Sequence, residues 1–129
     1  MFHGNDSLPS PAEAFYELGN ISHQPQDKIN YYGKTLELDP FHLSAYHCLG
    51  DVYQELDEFT DAISYYDKAL ELNPYDDNLH FQKAVCYATD EQTEMAIACY
   101  KNVTLFSLNI TLIKEVFLKL ANYNYIKKN

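Results

Sequence analysis

Five histidines are the side chains of this chain that could bind a metal ion or transfer a proton. They are His3, His23, His42, His47 and His80. A zinc site on one helix needs ligands on the same face, as in HExxH, and no such motif or i, i+4 histidine pair occurs. His42 and His47 are five residues apart and lie on either side of a predicted helix start. We therefore predict no metal site and no cofactor.

The three cysteines could carry redox or nucleophilic chemistry, but their pattern favours plain thiols. Cys48, Cys86 and Cys99 are odd in number and have no CxxC spacing. Such usage is typical of a reducing compartment. The N-terminus MFHGNDSLPSPAE has neither the basic region nor the apolar region of a secretory signal. We therefore expect a cytoplasmic protein.

Catalytic motifs are also missing from the sequence. There is no GxSxG nucleophile motif and no glycine-rich phosphate loop. The acid pairs Asp57-Glu58 and Asp76-Asp77 lie at predicted turns or helix starts, where carboxylates complement the helix dipole. The interpretation is that the protein is not an enzyme, and catalysis or metal binding is kept as the least favoured alternative.

The charge of the chain restricts its partners. The 129 residues carry a formal net charge of -10 and are 47% apolar. A surface of this sign repels nucleic acid and anionic lipid. No apolar run approaches the roughly 20 residues of a membrane helix. A protein or peptide partner with a basic, neutral or apolar segment is expected instead, with no nucleic acid and no membrane.

A repeat with a constant period organises the chain. The shift that places Pro40 on Pro74 also places Tyr53 on Tyr87. The same shift matches Leu36 with Leu70, Tyr31-Tyr32 with Tyr65-Tyr66, Ala62-Ile63 with Ala96-Ile97, and Tyr66 with Tyr100. The pair Leu18-Gly19 precedes Leu49-Gly50 by three positions fewer than this shift. We therefore expect three missing residues between the two helices of the first unit, around SHQPQDK.

Each unit has two apolar stripes at helical spacing, which predicts a helical hairpin. Gly19, Gly50 and Ala84 share one column, and small residues there allow two helices to approach closely. Pro40 and Pro74 follow the second helix of their units. Because proline has no backbone N–H, the helix cannot continue through it. A single hairpin cannot bury both of its apolar faces, so neighbouring units must stack.

The segments AEAFYELGN, SAYHCLGDVYQELDEFTDAISYYDKALELNP and NLHFQKAVCYATDEQTEMAIACYKNV resemble tetratricopeptide repeats. The resemblance implies an all-α fold, a right-handed α-solenoid of three helix-turn-helix hairpins with a C-terminal capping helix. The repeats would span about 12–42, 43–76 and 77–108 of a single domain at 12–129, preceded by a disordered segment at 1–11. The sequence departs from the family pattern at Ser22, Lys28, Lys83 and Leu108.

The C-terminal segment predicts one more helix, at about 110–126. Ile110, Ile113, Phe117 and Leu120 form one stripe, which Leu112, Val116 and Tyr123 widen. Capping of the last hairpin is the favoured interpretation. The alternatives are that this helix docks a second copy, as in a homodimer, or folds into the groove.

In the tetratricopeptide family the first helix of each hairpin lines a concave groove, so the resemblance implies a binding site there. The predicted groove residues are Glu13, Tyr16, Glu17, Asn20 and His23 in the first unit, Ser44, His47, Cys48, Asp51 and Glu55 in the second, and Asn78, Phe81, Gln82 and Val85 in the third. Repeat domains that bind acidic chaperone C-termini use a clamp of lysine, asparagine and arginine. The matching positions here hold Tyr16, Asn20, Cys48, Asn78 and Gln82, which disfavours an acidic ligand.

The leading hypothesis is a non-catalytic adaptor or scaffold that binds a peptide or short helix of a partner protein in this groove. The alternative is a chaperone similar to those of type III secretion, which would hold a client segment unfolded. Small size, acidity and three repeats agree with the second hypothesis, whereas the longer helical N-terminal region usual there is missing from residues 1–11.

Overall fold

Seven helices follow one another with short connections in the computed structural model, which describes residues 8–128 of the chain and side chains as far as Asn124. They are α1 (Pro11–Ile21), α2 (Pro25–Leu38), α3 (Leu43–Glu55), α4 (Phe59–Leu72), α5 (Asp77–Thr89), α6 (Thr93–Phe106) and α7 (Ile110–Lys128). Within this described part there is no strand, which confirms the all-α prediction. Of the segment predicted to be disordered, residues 1–7 lie outside the described residues, and Pro11 is the first residue of α1.

The first helix of each hairpin begins with a side-chain cap. Ser10 Oγ accepts from the Glu13 N–H at 3.2 Å and Asp76 Oδ1 accepts from the Leu79 N–H at 3.2 Å. At the corresponding place in the second hairpin, Nδ1 of His42 accepts from the Ala45 N–H at 3.1 Å. Each cap satisfies an amide that has no partner within its own helix.

The turns inside the second and third hairpins are copies of one another. Asp57 (φ 59°) and Glu91 (φ 63°) both have left-handed backbone conformations and occupy the same column of the repeat. The amide after each turn residue bonds back to a tyrosine carbonyl, from Glu58 to Tyr53 at 2.9 Å and from Gln92 to Tyr87 at 2.8 Å. The sequence period is thus repeated in the backbone geometry.

Compared with the other two hairpins, the first hairpin lacks three residues, and these are missing from its first helix and not from its turn. The predicted position of the deletion, between the two helices, was therefore wrong. Helix α3 continues five residues beyond Gly50 and α5 five residues beyond Ala84, but α1 ends two residues after Gly19. The connection inside each of the three hairpins is three residues long. The deletion therefore shortens α1 by most of a turn.

Tyrosines from the second helices pack directly on the glycines of the first helices. A Cβ placed on Gly19 would lie 2.5 Å from Cε1 of Tyr32, and one placed on Gly50 would lie 2.5 Å from Cε1 of Tyr66. Both tyrosines are buried. Glycine allows this close approach, because a Cβ at either position would overlap the ring unless the ring moved.

Polar side chains join the third unit to its neighbours on both sides. Lys83 lies in the column of Leu49, and its Nζ pairs with Asp67 Oδ1 of α4 at 2.6 Å, which links the second and third units. At the end of the third unit, Ser107 Oγ donates to Asp77 Oδ2 at 2.6 Å. Asn109 Oδ1 then caps α7 by accepting from the Leu112 N–H at 3.1 Å.

Helix α7 packs against the last hairpin with one face. Leu112 and Val116 are buried in a cluster with Ala84, Tyr100 and Val103, and Leu120 and Tyr123 pack at its edge. The opposite face of α7 is exposed and includes Ile110, Phe117 and Leu118. A capping helix is expected to show polar groups outside, and this one shows large apolar residues.

Candidate functional site

Side chains of α1 and α3 meet on the face that the sequence predicts to be the groove. The Tyr16 ring packs 5.8 Å from the ring of Tyr32 and 4.7 Å from that of His42, measured between centroids. The Tyr16 hydroxyl lies 4.0 Å from Sγ of Cys48. The structure thus brings predicted site residues of the first two units into contact.

Buried tyrosines orient the polar residues of this face. Tyr32 donates its hydroxyl hydrogen to Oδ1 of Asn20 at 2.8 Å. Tyr66 shares its one hydroxyl hydrogen between Oδ1 of Asp51 and, at 2.9 Å, Oε1 of Gln54. Asn20 and Asp51 each follow the glycine on which the tyrosine of their own unit packs. Burial, followed by the hydrogen bond to Asp51, raises the pKa of Tyr66, so the phenol remains a donor.

Carboxylates on the same face remain accessible to a partner. The Asp51 side chain is 46% exposed, with Oδ2 3.7 Å from Nε2 of His47, and the Glu13 side chain is 44% exposed. Glu17 and Glu55 are exposed as well. The first two units therefore present an acidic surface supported by a rigid aromatic layer.

His42 is a contact residue that the sequence interpretation missed. Its Nδ1 accepts from the Ala45 N–H, so Nε2 carries the proton and donates to Oε2 of Glu13 at 3.1 Å. One side chain thus caps α3 and fixes a carboxylate of α1. The repeat in the sequence could have revealed this role, because His42 has the same position in the second unit as Asp76 in the third, and aspartate is a common N-cap residue.

The third unit offers a less polar surface. Phe81 packs edge to face on Tyr100, with 5.7 Å between ring centroids, and is half-buried against the C-terminal cluster. Val85 occupies the position of Asn20 and Asp51. Gln82 is half-buried and Asn78 is exposed. The predicted groove thus changes from acidic at the first two units to apolar at the third.

A small cavity lies beside the end of α1, where the missing turn leaves α2 and α3 uncovered. It has a volume of about 170 Å³ and is lined by Lys28, Tyr32, Cys48, Asp51, Val52 and Glu55. Lys28 replaces the usual alanine and its Nζ donates to the carbonyl of Gly19 at 3.2 Å. A long side chain fits at this position because α1 ends at Ile21.

His23 lies on the linker between α1 and α2, so its predicted place on a helical groove face was wrong. The reason is the shortened helix, because α1 ends two residues earlier. His23 is exposed, as is Ser44 at the start of α3.

The thiols of this protein are not activated nucleophiles. Burial raises the pKa of the Cys48 thiol, although the neighbouring Tyr32 and Tyr16 hydroxyls oppose the shift. Burial also raises the pKa of Cys86, to about 12, and that of Cys99. At neutral pH these groups are therefore thiols, and a thiolate is the reactive form.

Metal-ligand clusters and membrane-spanning helices are both absent from the described part of the chain. It contains no group of three or more histidine, cysteine, aspartate or glutamate side chains placed to hold a metal ion. Its helices also include none with the length and apolar character needed to cross a membrane.

Comparison with known proteins identifies the repeat. The tetratricopeptide repeat family matches the chain twice, at residues 44–76 and 65–98. The chain contains tetratricopeptide repeats. The repeats of this family form scaffolds for protein–protein interaction. A search of curated protein sequences found no match.

Several solved tetratricopeptide structures have the same fold. MamA is 25% identical, with a TM-score of 0.70 over 72% of this chain, and the chain spans only 52% of MamA. The tetratricopeptide domain of Arabidopsis OM64 matches with a TM-score of 0.77 at 18% identity, and the match covers 88% of this chain and 96% of the OM64 domain. The first repeat domain of Spaghetti (RPAP3), bound to the HSP90 peptide SRMEEVD, matches with a TM-score of 0.73 at 21% identity. The match covers 86% of this chain and 94% of the Spaghetti domain.

Proposed function

We propose that this tetratricopeptide protein is an adaptor whose concave face, formed by α1, α3 and α5, binds a basic or neutral peptide or short helix of a partner protein. The observation that carries the proposal is the arrangement of Asn20 and Asp51. Buried tyrosines hold both side chains in place, which lowers the ordering cost of binding. Amide and carboxylate groups at these positions can accept hydrogen bonds from a peptide backbone or from a lysine or arginine side chain.

Charge supports a basic partner over an acidic one. Glu13, Glu17, Asp51 and Glu55 belong to the first two units of this face, and of the charged residues lining the cavity only Lys28 is a cation. The peptide in the Spaghetti structure is acidic, SRMEEVD. Such a sequence would be repelled here, since like charges across an interface are unfavourable.

The third unit would contribute apolar contacts. Phe81 and Val85 are half-buried at the far end of the predicted groove. An aromatic side chain offers large contact area with little loss of rotamer freedom. The expected ligand therefore has basic residues toward the first unit and one or more apolar anchors toward the third.

The test is selection of binding peptides from a randomised library, followed by titration of the selected peptides. The double variant Glu17→Lys/Glu55→Lys changes two exposed groove residues and should weaken binding at least about tenfold. The matched control Glu37→Lys/Glu71→Lys changes two exposed residues of second helices and should leave affinity within about twofold. Selection of acidic peptides, or equal affinity of the two double variants, would contradict the proposal.

A further inference from the structure

The C-terminal helix α7 is apolar on two opposite faces. One face packs on the last hairpin through Leu112 and Val116. On a helical projection at about 100° per residue, Ile110, Lys114, Phe117, Leu118 and Ala121 lie together on the other side. Ile110 is 68% exposed, Phe117 58% and Leu118 74%. A helix with two apolar faces is typically covered on both.

The outer stripe of α7, defined as Ile110, Lys114, Phe117, Leu118 and Ala121, belongs to a C-terminal segment that is basic, whereas the rest of the chain is acidic. Residues 110–129 contain four lysines and one glutamate, whereas residues 1–109 contain 18 acidic residues and five lysines. Lys114 is exposed at the centre of the stripe. The stripe therefore combines exposed apolar side chains with one exposed lysine, and it contains no acidic residue.

We infer that the outer stripe of α7 docks into the concave face of a second copy of this chain. That face carries the complementary groups: accessible carboxylates at Glu13, Glu17, Asp51 and Glu55, and half-buried apolar side chains at Phe81 and Val85. An amphipathic helix bound in a groove is a common recognition mode. With 19 residues, α7 is about 28 Å long, sufficient to reach along more than one unit.

Charge decides between this arrangement and the two others that would cover the stripe. Direct pairing of α7 with α7 of another copy would bring the Lys114 side chains of both copies together, which is unfavourable. Docking on an anionic membrane would bring the remaining surface, with its excess of acidic residues, toward lipid of the same sign. The groove of a second copy matches the stripe in both charge and apolar character.

The contact joins two different surfaces, so it is heterologous. After one such contact the pair of chains keeps one free groove, on one copy, and one free α7, on the other, so association continues into a ring or an open chain. The inference uses the groove proposed above as a binding site, and it makes α7 one ligand of that groove.

The test is sedimentation velocity of the full chain over a roughly hundredfold range of concentration, at low and high salt. We expect association that weakens with salt. The variant Phe117→Ser/Leu118→Ser and the groove variant Glu17→Lys/Glu55→Lys should each weaken it by about tenfold or more, whereas the control Phe41→Ser, at a loop residue that is 76% exposed, should not.

Mixing the α7 variant with the groove variant is the decisive measurement. The α7 variant retains an intact groove and the groove variant retains an intact α7, so the mixture should form a complex of one copy of each and no larger species. A wild-type chain that stays monomeric throughout would overturn the inference. A groove variant that associates like wild type, or a monomer that binds phosphatidylserine vesicles through Phe117 and Leu118, would also overturn it.

The result is separable from the proposed function. If the chain is monomeric but library peptides bind the groove, only the docking of α7 is disproved. If the chain associates through α7 and the groove but selects no library peptide, the adaptor proposal fails while the docking of α7 stands.

Discussion

Tyr66 on α4 donates its hydroxyl hydrogen to Asp51 on α3. This hydrogen bond joins the second helix of the hairpin to the face of the first helix that is predicted to line the groove. The ring reaches that face because it lies on the backbone of Gly50, where no side chain intervenes. Tyr32 and Asn20 have the same relationship across Gly19 in the first hairpin. Core packing and the orientation of predicted binding residues are therefore set by the same side chains.

Replacement of Tyr66 by phenylalanine should test this link. The ring would remain, but Asp51 and Gln54 would lose their donor, and we expect the free energy of unfolding to fall by about 1–2 kcal/mol. Chemical denaturation measures the change, and Tyr75→Phe, at a site 71% exposed, is the control. Equal stability of the two variants would show that the hydroxyl of Tyr66 contributes nothing.

Gly50→Ala and Gly33→Ala should have opposite effects. Alanine is favoured over glycine in a helix by about 1 kcal/mol, and a Cβ on Gly33 meets nothing within 4 Å, so Gly33→Ala should stabilise the protein. A Cβ on Gly50 meets the Tyr66 ring at 2.5 Å, and overpacking of this kind costs about 1–3 kcal/mol. Thermal unfolding of both variants checks the prediction, and stabilisation by Gly50→Ala would refute the close packing.

Glycine at the two left-handed turn positions should stabilise the hairpins. Asp57 and Glu91 have φ values of 59° and 63°, a conformation that costs non-glycine residues about 1 kcal/mol. Asp57→Gly and Glu91→Gly should each raise the free energy of unfolding by up to about 1 kcal/mol. The neighbouring change Asp90→Gly, at φ -84°, should give no gain. Denaturation curves in which all three variants behave alike would contradict the turn geometry.

Alkaline pH should destabilise the protein through its buried phenols and thiols. Burial raises the pKa of Cys86 from 9.0 to about 12 and that of Tyr100 from 10.0 to about 12. A group whose folded pKa is raised contributes stability that is complete below its unfolded pKa and is lost as pH rises through the folded value. The free energy of unfolding should therefore begin to fall near pH 9 and fall more steeply above pH 10, by about 1.4 kcal/mol per pH unit for each group.

Tyr100→Phe provides the control for that experiment. The variant lacks one raised phenol, so its stability should decline less steeply than that of wild type between pH 10 and about 12. Denaturant titrations at each pH, with phenolate absorbance followed in parallel, give both quantities. Parallel curves for the two proteins would show that Tyr100 ionises equally in the folded and unfolded states.

Sequence by itself determined the repeat, because its constant period places the same side-chain types on the same helical faces, and those faces must be buried. From this followed the three hairpins and the close contacts at Gly19 and Gly50, and a separate apolar stripe predicted the seventh helix. Such features depend on local spacing and residue size, which can be seen in one dimension.

Only the tertiary structure decided which residues of the predicted groove face contact one another. It showed that the deletion shortens α1, which removes His23 from the helix and opens a cavity at Lys28, and that His42 links α3 to Glu13. It also showed that α7 leaves Phe117 and Leu118 exposed. These features depend on where separate helices stop and how they lie against one another, and the packing of whole side chains in three dimensions sets both.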